Sequence, residues 1–103
     1  MILVLPQCQK EILDFPSDVR EELTDALAQL EAGQRLSMPL SRPMPSIGKG
    51  VHELRFRDRA GIYRVVYVFK GEGVITLIHA FVKKSQTTQK NNLELARKRL
   101  KET

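Results

Sequence analysis

The chain has 103 residues, of which 42% are hydrophobic, so it is long enough for one hydrophobic core and too short for two. We therefore expect a single domain spanning residues 1–103. The formal net charge is +5, and no stretch has the length and composition of a signal peptide or a membrane span, so we expect no membrane association. The single cysteine, Cys8, excludes a disulfide framework and a cysteine-rich metal site, and it fits a reducing cytoplasm.

Charge is unevenly distributed along the chain. Residues 1–48 contain four basic and seven acidic side chains, whereas residues 49–103 contain thirteen and five. A strongly basic second half indicates a polyanionic partner such as nucleic acid. A generally basic protein without such a partner is the alternative that charge alone leaves open.

The first elements in the chain have the pattern of a scaffold. Residues 2–5 form a short apolar run typical of a strand that pairs with later strands and stops at Pro6. From Pro16 to Gly33, apolar residues recur at three- and four-residue steps, which predicts an amphipathic helix of about four turns. Residues 34–50 hold three prolines and two glycines, so we expect a loop there. Its basic residues could line a polyanion site, but the pattern favours the interpretation that they only keep the loop soluble; they are Arg35, Arg42 and Lys49.

The central stretch predicts an antiparallel meander of three strands. Turn sequences at Ala60-Gly61 and Gly71-Glu72-Gly73 separate three strand-like runs, which are Val51–Arg57, Ile62–Lys70 and Val74–Val82. The second and third runs are apolar on both sides, which is typical of central, covered strands. A last run, Thr88–Lys101, carries an apolar stripe and predicts a basic helix that covers the second face of the sheet, contacts nucleic acid or forms a polar end.

Cationic side chains are predicted to converge at one end of this meander. Alternation along the first strand places Glu53, Arg55 and Arg57 on one face. Arg64 lies in an otherwise apolar strand, where an arginine is unfavourable unless it is paired or borders a cleft. Antiparallel pairing brings the start of the second strand beside the end of the third, so we expect Arg64 and Lys84 to be neighbours.

Such a cluster has the chemistry of a phosphate site. Guanidinium groups bind phosphate oxygens bidentately, and the pair Lys83-Lys84 adds point charge. Binding alone explains the cluster; RNA cleavage is the alternative, because attack by a 2′-hydroxyl needs no metal but builds negative charge that preorganised cations stabilise. A lysine with a lowered pKa, Glu53 or a histidine would then move the protons. Glu53 is equally interpreted as the counter-ion of Arg55 or Arg57.

Other site chemistries find no support in the sequence. It has no glycine-rich phosphate loop, no Cys/His metal spacing and no Gly-x-Ser-x-Gly motif, and we expect neither cofactor nor metal. His52 and His79 occupy apolar-facing strand positions and are predicted as core residues. Tyr63 and Tyr67 either stack a base or, as their apolar neighbours favour, pack in the core.

Three runs in the second half carry a family resemblance: Glu53-Leu54-Arg55, Gly61-Ile62-Tyr63-Arg64-Val65-Val66-Tyr67 and His79-Ala80-Phe81-Val82-Lys83-Lys84-Ser85-Gln86. Together with Leu27–Gly33 at the close of the first helix and Ala96 in the last one, they resemble the RelE/ParE toxin superfamily, in its HigB-like, phage-derived branch. The resemblance covers nearly the whole chain. It implies an α+β fold of order β-α-(α)-β-β-β-α, with an N-terminal strand and helices packed on a mostly antiparallel twisted sheet. The helices would share one face, and the opposite, concave face would meet RNA.

The resemblance also implies a function. Such relatives are toxins of type II toxin-antitoxin systems that cleave mRNA in the ribosomal A site without a metal. They are silenced by a cognate antitoxin, here expected to carry a helix-turn-helix domain. Arg64 matches the family's strand arginine that holds the scissile phosphate, Arg55 matches a lysine or arginine position, and Lys83-Lys84 match a second cationic pair. We therefore expect catalytic roles for one set, Arg55, Arg64 and Lys84, and substrate binding by another, Glu53, Arg57 and Lys83.

Two features depart from the family pattern. Residues 87–103 contain neither the tyrosine nor the histidine that some relatives use as an acid or stacking group, and Gln89 replaces a proline at the start of the last helix. The resemblance therefore assigns no residue to proton transfer. Two other functions stay open: a poison of DNA gyrase, as in the other arm of the superfamily, and a non-catalytic RNA-binding module.

Overall fold

A mixed sheet of five strands organises the computed structural model, which describes residues 1–83 and 89–103. The elements, in chain order, are β1 (Ile2–Val4), α1 (Pro6–Leu13), α2 (Ser17–Glu31), β2 (Ser41–Pro43), β3 (Val51–Arg57), β4 (Ile62–Gly71), β5 (Val74–Lys83) and α3 (Lys90–Lys101). The strands lie in the order β1-β5-β4-β3-β2, and every pairing is antiparallel except that of β1 with β5. The predicted α+β fold with a mostly antiparallel sheet is confirmed.

The meander β3-β4-β5 has the strand bounds predicted from sequence to within one residue. Its second turn needs left-handed backbone, with φ of 86° at Gly71, 54° at Glu72 and 76° at Gly73, which glycine adopts without steric strain. Its first turn is fixed by Asp58, whose Oδ1 accepts hydrogen bonds from the backbone N–H groups of Ala60 and Gly61 at 2.8 and 3.1 Å. This turn sets the pairing of β3 with β4 and hence the position of every side chain on them.

Helices α1 and α2 cover one face of the sheet. Helix α2 buries the apolar stripe predicted from sequence, and Gly33, with φ of 89°, follows its C-terminus. Helix α1 was not located in the sequence analysis, because it is eight residues long and only Cys8 and Ile12 on it are buried. The core on this face also takes in strand residues, among them Leu54, Val65 and Leu77.

Helix α3 lies on the opposite face of the sheet. Its Ala96 is fully buried, and Leu93 and Leu100 pack with it against a second core cluster that includes Val66, Val68 and Ile78. The predicted role of this helix as a cover for the second face is confirmed. The expectation that all helices share one face is wrong, because the apolar stripe of α3 needs its own partner surface and finds it on β3, β4 and β5.

The loop expected over residues 34–50 contains a short edge strand. In β2, Ser41 pairs with Leu54, Arg42 with Glu53 and Pro43 with His52. The expectation of a structureless connection is therefore wrong at residues 41–43. Three residues are too few for an alternating pattern, and a proline at the end of an edge strand is compatible with pairing on one side only.

Candidate nucleic-acid interface

Strand register places a set of charged side chains on the sheet face opposite α1 and α2. Residues paired across neighbouring strands point to the same side, and the relevant pairs are Arg42 with Glu53, Arg55 with Arg64, Arg57 with Ile62, and Ile62 with Lys83. Alternation along each strand puts all of these residues on one side of the sheet. We call this set the cationic face: Arg42, Glu53, Arg55, Arg57, Arg64 and Lys83. Helix α3 packs on the rest of the same side, against Val66, Val68 and Ile78.

A buried ion pair lies at the centre of the cationic face. Arg64 Nη1 donates to Glu53 Oε1, and both side chains are 0% exposed. Arg64 therefore has the charged partner that a buried arginine requires. The interpretation of Glu53 as a counter-ion is supported, with Arg64 as its partner. The same geometry shows that Arg64 does not border an open cleft in the free protein.

Lys83 is the second buried cation of this face. Its side chain is 2% exposed, and its Nζ has no hydrogen-bond partner among the described residues. Burial lowers the pKa of the Lys83 ammonium to about 8, with further lowering by the nearby charge of Arg64, while Glu53 acts in the opposite direction. With this pKa, about one molecule in ten carries the neutral amine at pH 7, and about half do at pH 8.

The remaining cations form a rim around these buried groups. Arg55 is half-buried, and burial followed by the charge of Arg64 lowers the pKa of its guanidinium. Arg57 and Arg42 are exposed. Arg55 and Arg57 also line a cavity of about 720 Å³ between α2 and the sheet edge, together with Glu22 and Asp25. The rim is therefore open to solvent while the centre is covered.

Five of the six residues of the cationic face were predicted from the sequence, whereas Arg42 was predicted to do no more than keep its loop soluble. Register now puts Arg42 opposite Glu53, so it belongs to the face rather than to a solvating loop. Lys84, expected beside Arg64, lies outside the described residues. Strand pairing brings Lys83 close to Arg64, because Lys83 pairs with Ile62, two residues before Arg64 on β4.

The histidines and tyrosines lie away from the cationic face or are engaged elsewhere. His52 stacks on Tyr67 at 5.5 Å between ring centroids, and the hydroxyl of Tyr67 is 2.7 Å from Ser41 Oγ. Tyr63 Oη donates to Asp58 Oδ2 at 3.1 Å, and burial followed by this hydrogen bond raises the pKa of the phenol. The predicted core roles of both tyrosines and of His79 are confirmed by their burial.

A second polar network ties α3 to α1 and β5. Arg99 Nη1 and Nη2 donate to the two carboxylate oxygens of Glu11 at 2.7 and 3.0 Å. Arg99 Nη1 also lies 3.1 Å from His79 Nδ1, and His79 Nε2 lies 2.8 Å from Asn92 Oδ1. The side chain of Arg99 is therefore buried and paired with a partly exposed carboxylate, whereas the other charged side chains of α3 are exposed.

Three further observations concern the described residues. The described residues contain no group of three or more His, Cys, Asp or Glu side chains arranged to hold a metal ion. Within the same residues, no helix has the length and apolar character needed to cross a membrane. The lone thiol, Cys8, is buried, and burial raises its pKa to about 12, so it is not a reactive nucleophile.

The arrangement is suited to a phosphodiester. Exposed arginines at the rim can bind phosphates along a strand, and the buried Arg64 is preorganised by its ion pair. A lysine that is partly neutral adds a group able to exchange protons.

Comparison with known proteins gives a fold and a family. The fold is similar to the crystal structure of the isolated RelE toxin of Escherichia coli, with a TM-score of 0.56 and 23% identity over 84% of this chain and 86% of that one. It is also similar to a chain of the intact E. coli RelBE toxin-antitoxin complex, with a TM-score of 0.55 and 24% identity over 84% and 98% of the two chains. No functionally curated protein is detectably similar in sequence. The model of the phage-derived Gp49-like protein family (DUF891) matches residues 10–101, so the chain belongs to that family and has a RelE-like fold.

Proposed function

We propose that the chain is the toxin of a type II toxin-antitoxin system and that it cleaves mRNA on the ribosome without a metal. The observation that carries the proposal is the convergence of cations from β2, β3, β4 and β5 on one face of a RelE-like sheet. Like charges placed together in this way reduce stability unless an anion binds them. An RNA backbone supplies that anion.

The rim and the centre have different tasks in this proposal. Arg42, Arg55 and Arg57 bind phosphates on either side of the scissile bond, because they are the members of the cationic face that solvent reaches. Arg64 stabilises the charge that grows on the phosphoryl oxygens, and Glu53 fixes its guanidinium before substrate arrives. The catalytic role expected of Lys84 from family resemblance belongs to the same proposal.

A protein antitoxin is the proposed regulatory partner. A chain of similar fold occurs in a toxin-antitoxin complex, which supports a partner of this kind. Membership of the HigB-like branch, with an antitoxin that carries a helix-turn-helix domain, is part of this proposal. A short helix-turn-helix reading frame beside the gene would support it.

The test is induction of the chain alone in a bacterium, with primer extension on abundant mRNAs. The expected result is growth arrest together with new mRNA 5′ ends at defined codons. Arg55→Gln/Arg57→Gln removes two rim charges and is expected to relieve the arrest. Lys10→Gln/Arg35→Gln is the matched control, because both side chains are exposed and lie outside the cationic face.

Two outcomes would replace the proposal. DNA damage signalling without mRNA cleavage would identify a gyrase poison. RNA binding that falls steeply with salt, without cleavage on programmed ribosomes, would identify a non-catalytic RNA-binding module.

A further inference from the structure

Metal-free cleavage of RNA needs a group that takes the proton of the attacking 2′-hydroxyl, and the described residues offer few candidates. His52 stacks under Tyr67 on the face that α1 and α2 cover. His79 is held between Arg99 and Asn92. Tyr63 donates a hydrogen bond to Asp58, and Glu53 accepts one from Arg64. These side chains are therefore either on the wrong face or engaged in structural hydrogen bonds.

Lys83 remains, and its position fits the task. It lies on the cationic face, on the strand next to β4. There it pairs with Ile62, which is two residues before Arg64. Its Nζ is buried and has no hydrogen-bond partner among the described residues, so nothing there competes for its lone pair or its protons. The charged groups that face it are Arg42 from β2, Glu53 and Arg55 from β3, and Arg64 from β4.

We infer that Lys83 is the general base of the cleavage reaction, an assignment that rests on the proposed function. The neutral amine of Lys83 accepts the proton of the 2′-hydroxyl as its oxygen bonds to phosphorus. The bond from phosphorus to O5′ breaks, the electron pair leaves with O5′, and that oxygen takes a proton from water. The products are a 2′,3′-cyclic phosphate and a 5′-hydroxyl, together with hydroxide from the water, which takes the proton back from Lys83 and regenerates the amine.

The surroundings of Lys83 explain why an amine serves here. Burial and the charge of Arg64 favour the neutral form and lower the pKa to about 8, whereas an exposed lysine is almost wholly protonated at neutral pH. Because Lys83 is only 2% exposed, its surroundings must rearrange before RNA can reach Nζ. Arginine at this position would keep the charge and lose the base, since a guanidinium does not deprotonate in this pH range.

The test is a pH profile of single-turnover cleavage on programmed ribosomes at saturating toxin. The wild-type rate is expected to rise about tenfold per pH unit below pH 8 and to level off above it. Lys83→Arg should lower the rate about 10²- to 10⁴-fold and abolish this bend, while ribosome binding is kept. Lys83→Met should lose the same rate and regain part of it with added methylamine. Lys10→Arg, an exposed lysine on α1, is the control.

Each outcome decides a different question. A wild-type protein that does not cleave would overturn the proposed function itself. Cleavage by Lys83→Arg at the wild-type rate and with the wild-type bend would overturn the assignment of Lys83 alone. Loss of the bend in Lys84→Arg but not in Lys83→Arg would move the base to the neighbouring lysine.

Discussion

Arg64 is held by a buried carboxylate, and this changes how its role can be tested. Truncating one member of a buried ion pair leaves the other charge without compensation, which typically lowers the free energy of unfolding by about 3–5 kcal/mol. Loss of activity in Arg64→Ala would then report unfolding as readily as chemistry. A variant that removes both charges separates these effects.

We predict that Arg64→Ala lowers the free energy of unfolding by about 3–5 kcal/mol. Replacing both members, in Glu53→Leu/Arg64→Met, should lower it by less than half as much, because neither member of the pair is left as an uncompensated charge. Urea unfolding followed by circular dichroism measures both. Equal losses in the two variants would show that the pair is not the source of the cost.

Lys83 gives a stability prediction with a definite pH dependence. Its pKa is about 8 in the folded chain against 10.5 in the unfolded chain, so the unfolded chain binds more protons between these values. The stability of the wild type therefore rises as pH increases through this window. Lys83→Met lacks the penalty and should be more stable than the wild type by about 1–3 kcal/mol at pH 7.

The advantage of Lys83→Met should shrink above pH 8 and disappear near pH 10.5. Thermal or urea unfolding at a series of pH values tests this, with Lys10→Met as the exposed control. If the difference in free energy of unfolding between Lys83→Met and wild type stays constant with pH, Lys83 is not buried in its charged form.

At the scale of elements, α3 is tied to the sheet by charge as well as by its apolar stripe. Arg99 connects α3 to Glu11 on α1 and, through His79, to β5. We predict that Arg99→Ala raises hydrogen exchange of the α3 amides at least tenfold, because a buried charged hydrogen bond contributes about 1.5–3 kcal/mol. Lys98→Ala, one residue away and exposed, is the control. Unchanged protection of α3 in Arg99→Ala would show that apolar packing alone holds the helix.

Long elements with a clear pattern of apolar residues could be predicted from sequence, and shorter elements could not. Strand β3 alternates over seven residues and helix α2 repeats over fifteen, while β4 and β5 are ten-residue, largely apolar runs bounded by turn sequences. Helix α1 and strand β2 are too short to show a period, and pairing with distant residues decides their form. The position of Arg42 and the role of Arg99 could not be predicted for the same reason, since each depends on a partner far away in sequence.

The cationic side of the candidate site was predictable for a related reason. Alternation gave Glu53, Arg55 and Arg57 a common side, and the hairpin turns brought Arg64 to it. The sequence could not show how deeply each side chain is buried: Arg64 and Lys83 are buried, whereas Arg57 is exposed. Burial depends on packing of many segments together, and here it separates binding residues from those proposed for chemistry.

In the whole molecule, the second half of the chain supplies β3, β4, β5 and α3 and carries a net charge of +8, against −3 for the first half. We predict that affinity for single-stranded RNA falls with salt, and that Arg42→Gln/Arg57→Gln reduces the slope of log K against log salt by about 1.4, or 0.7 for each lost phosphate contact. Fluorescence anisotropy measures this slope. A slope unchanged from wild type would place the RNA on another surface.

We propose that Arg64, fixed on the cationic face, stabilises charge on a scissile phosphate. The rate of mRNA cleavage on purified programmed ribosomes by Glu53→Leu/Arg64→Met, compared with wild type, tests this role. We predict that this variant folds and binds ribosomes but cleaves at least about 10²-fold more slowly, the typical effect of losing one preorganised group that stabilises transition-state charge. Cleavage by the folded variant at the wild-type rate would show that Arg64 has no such role.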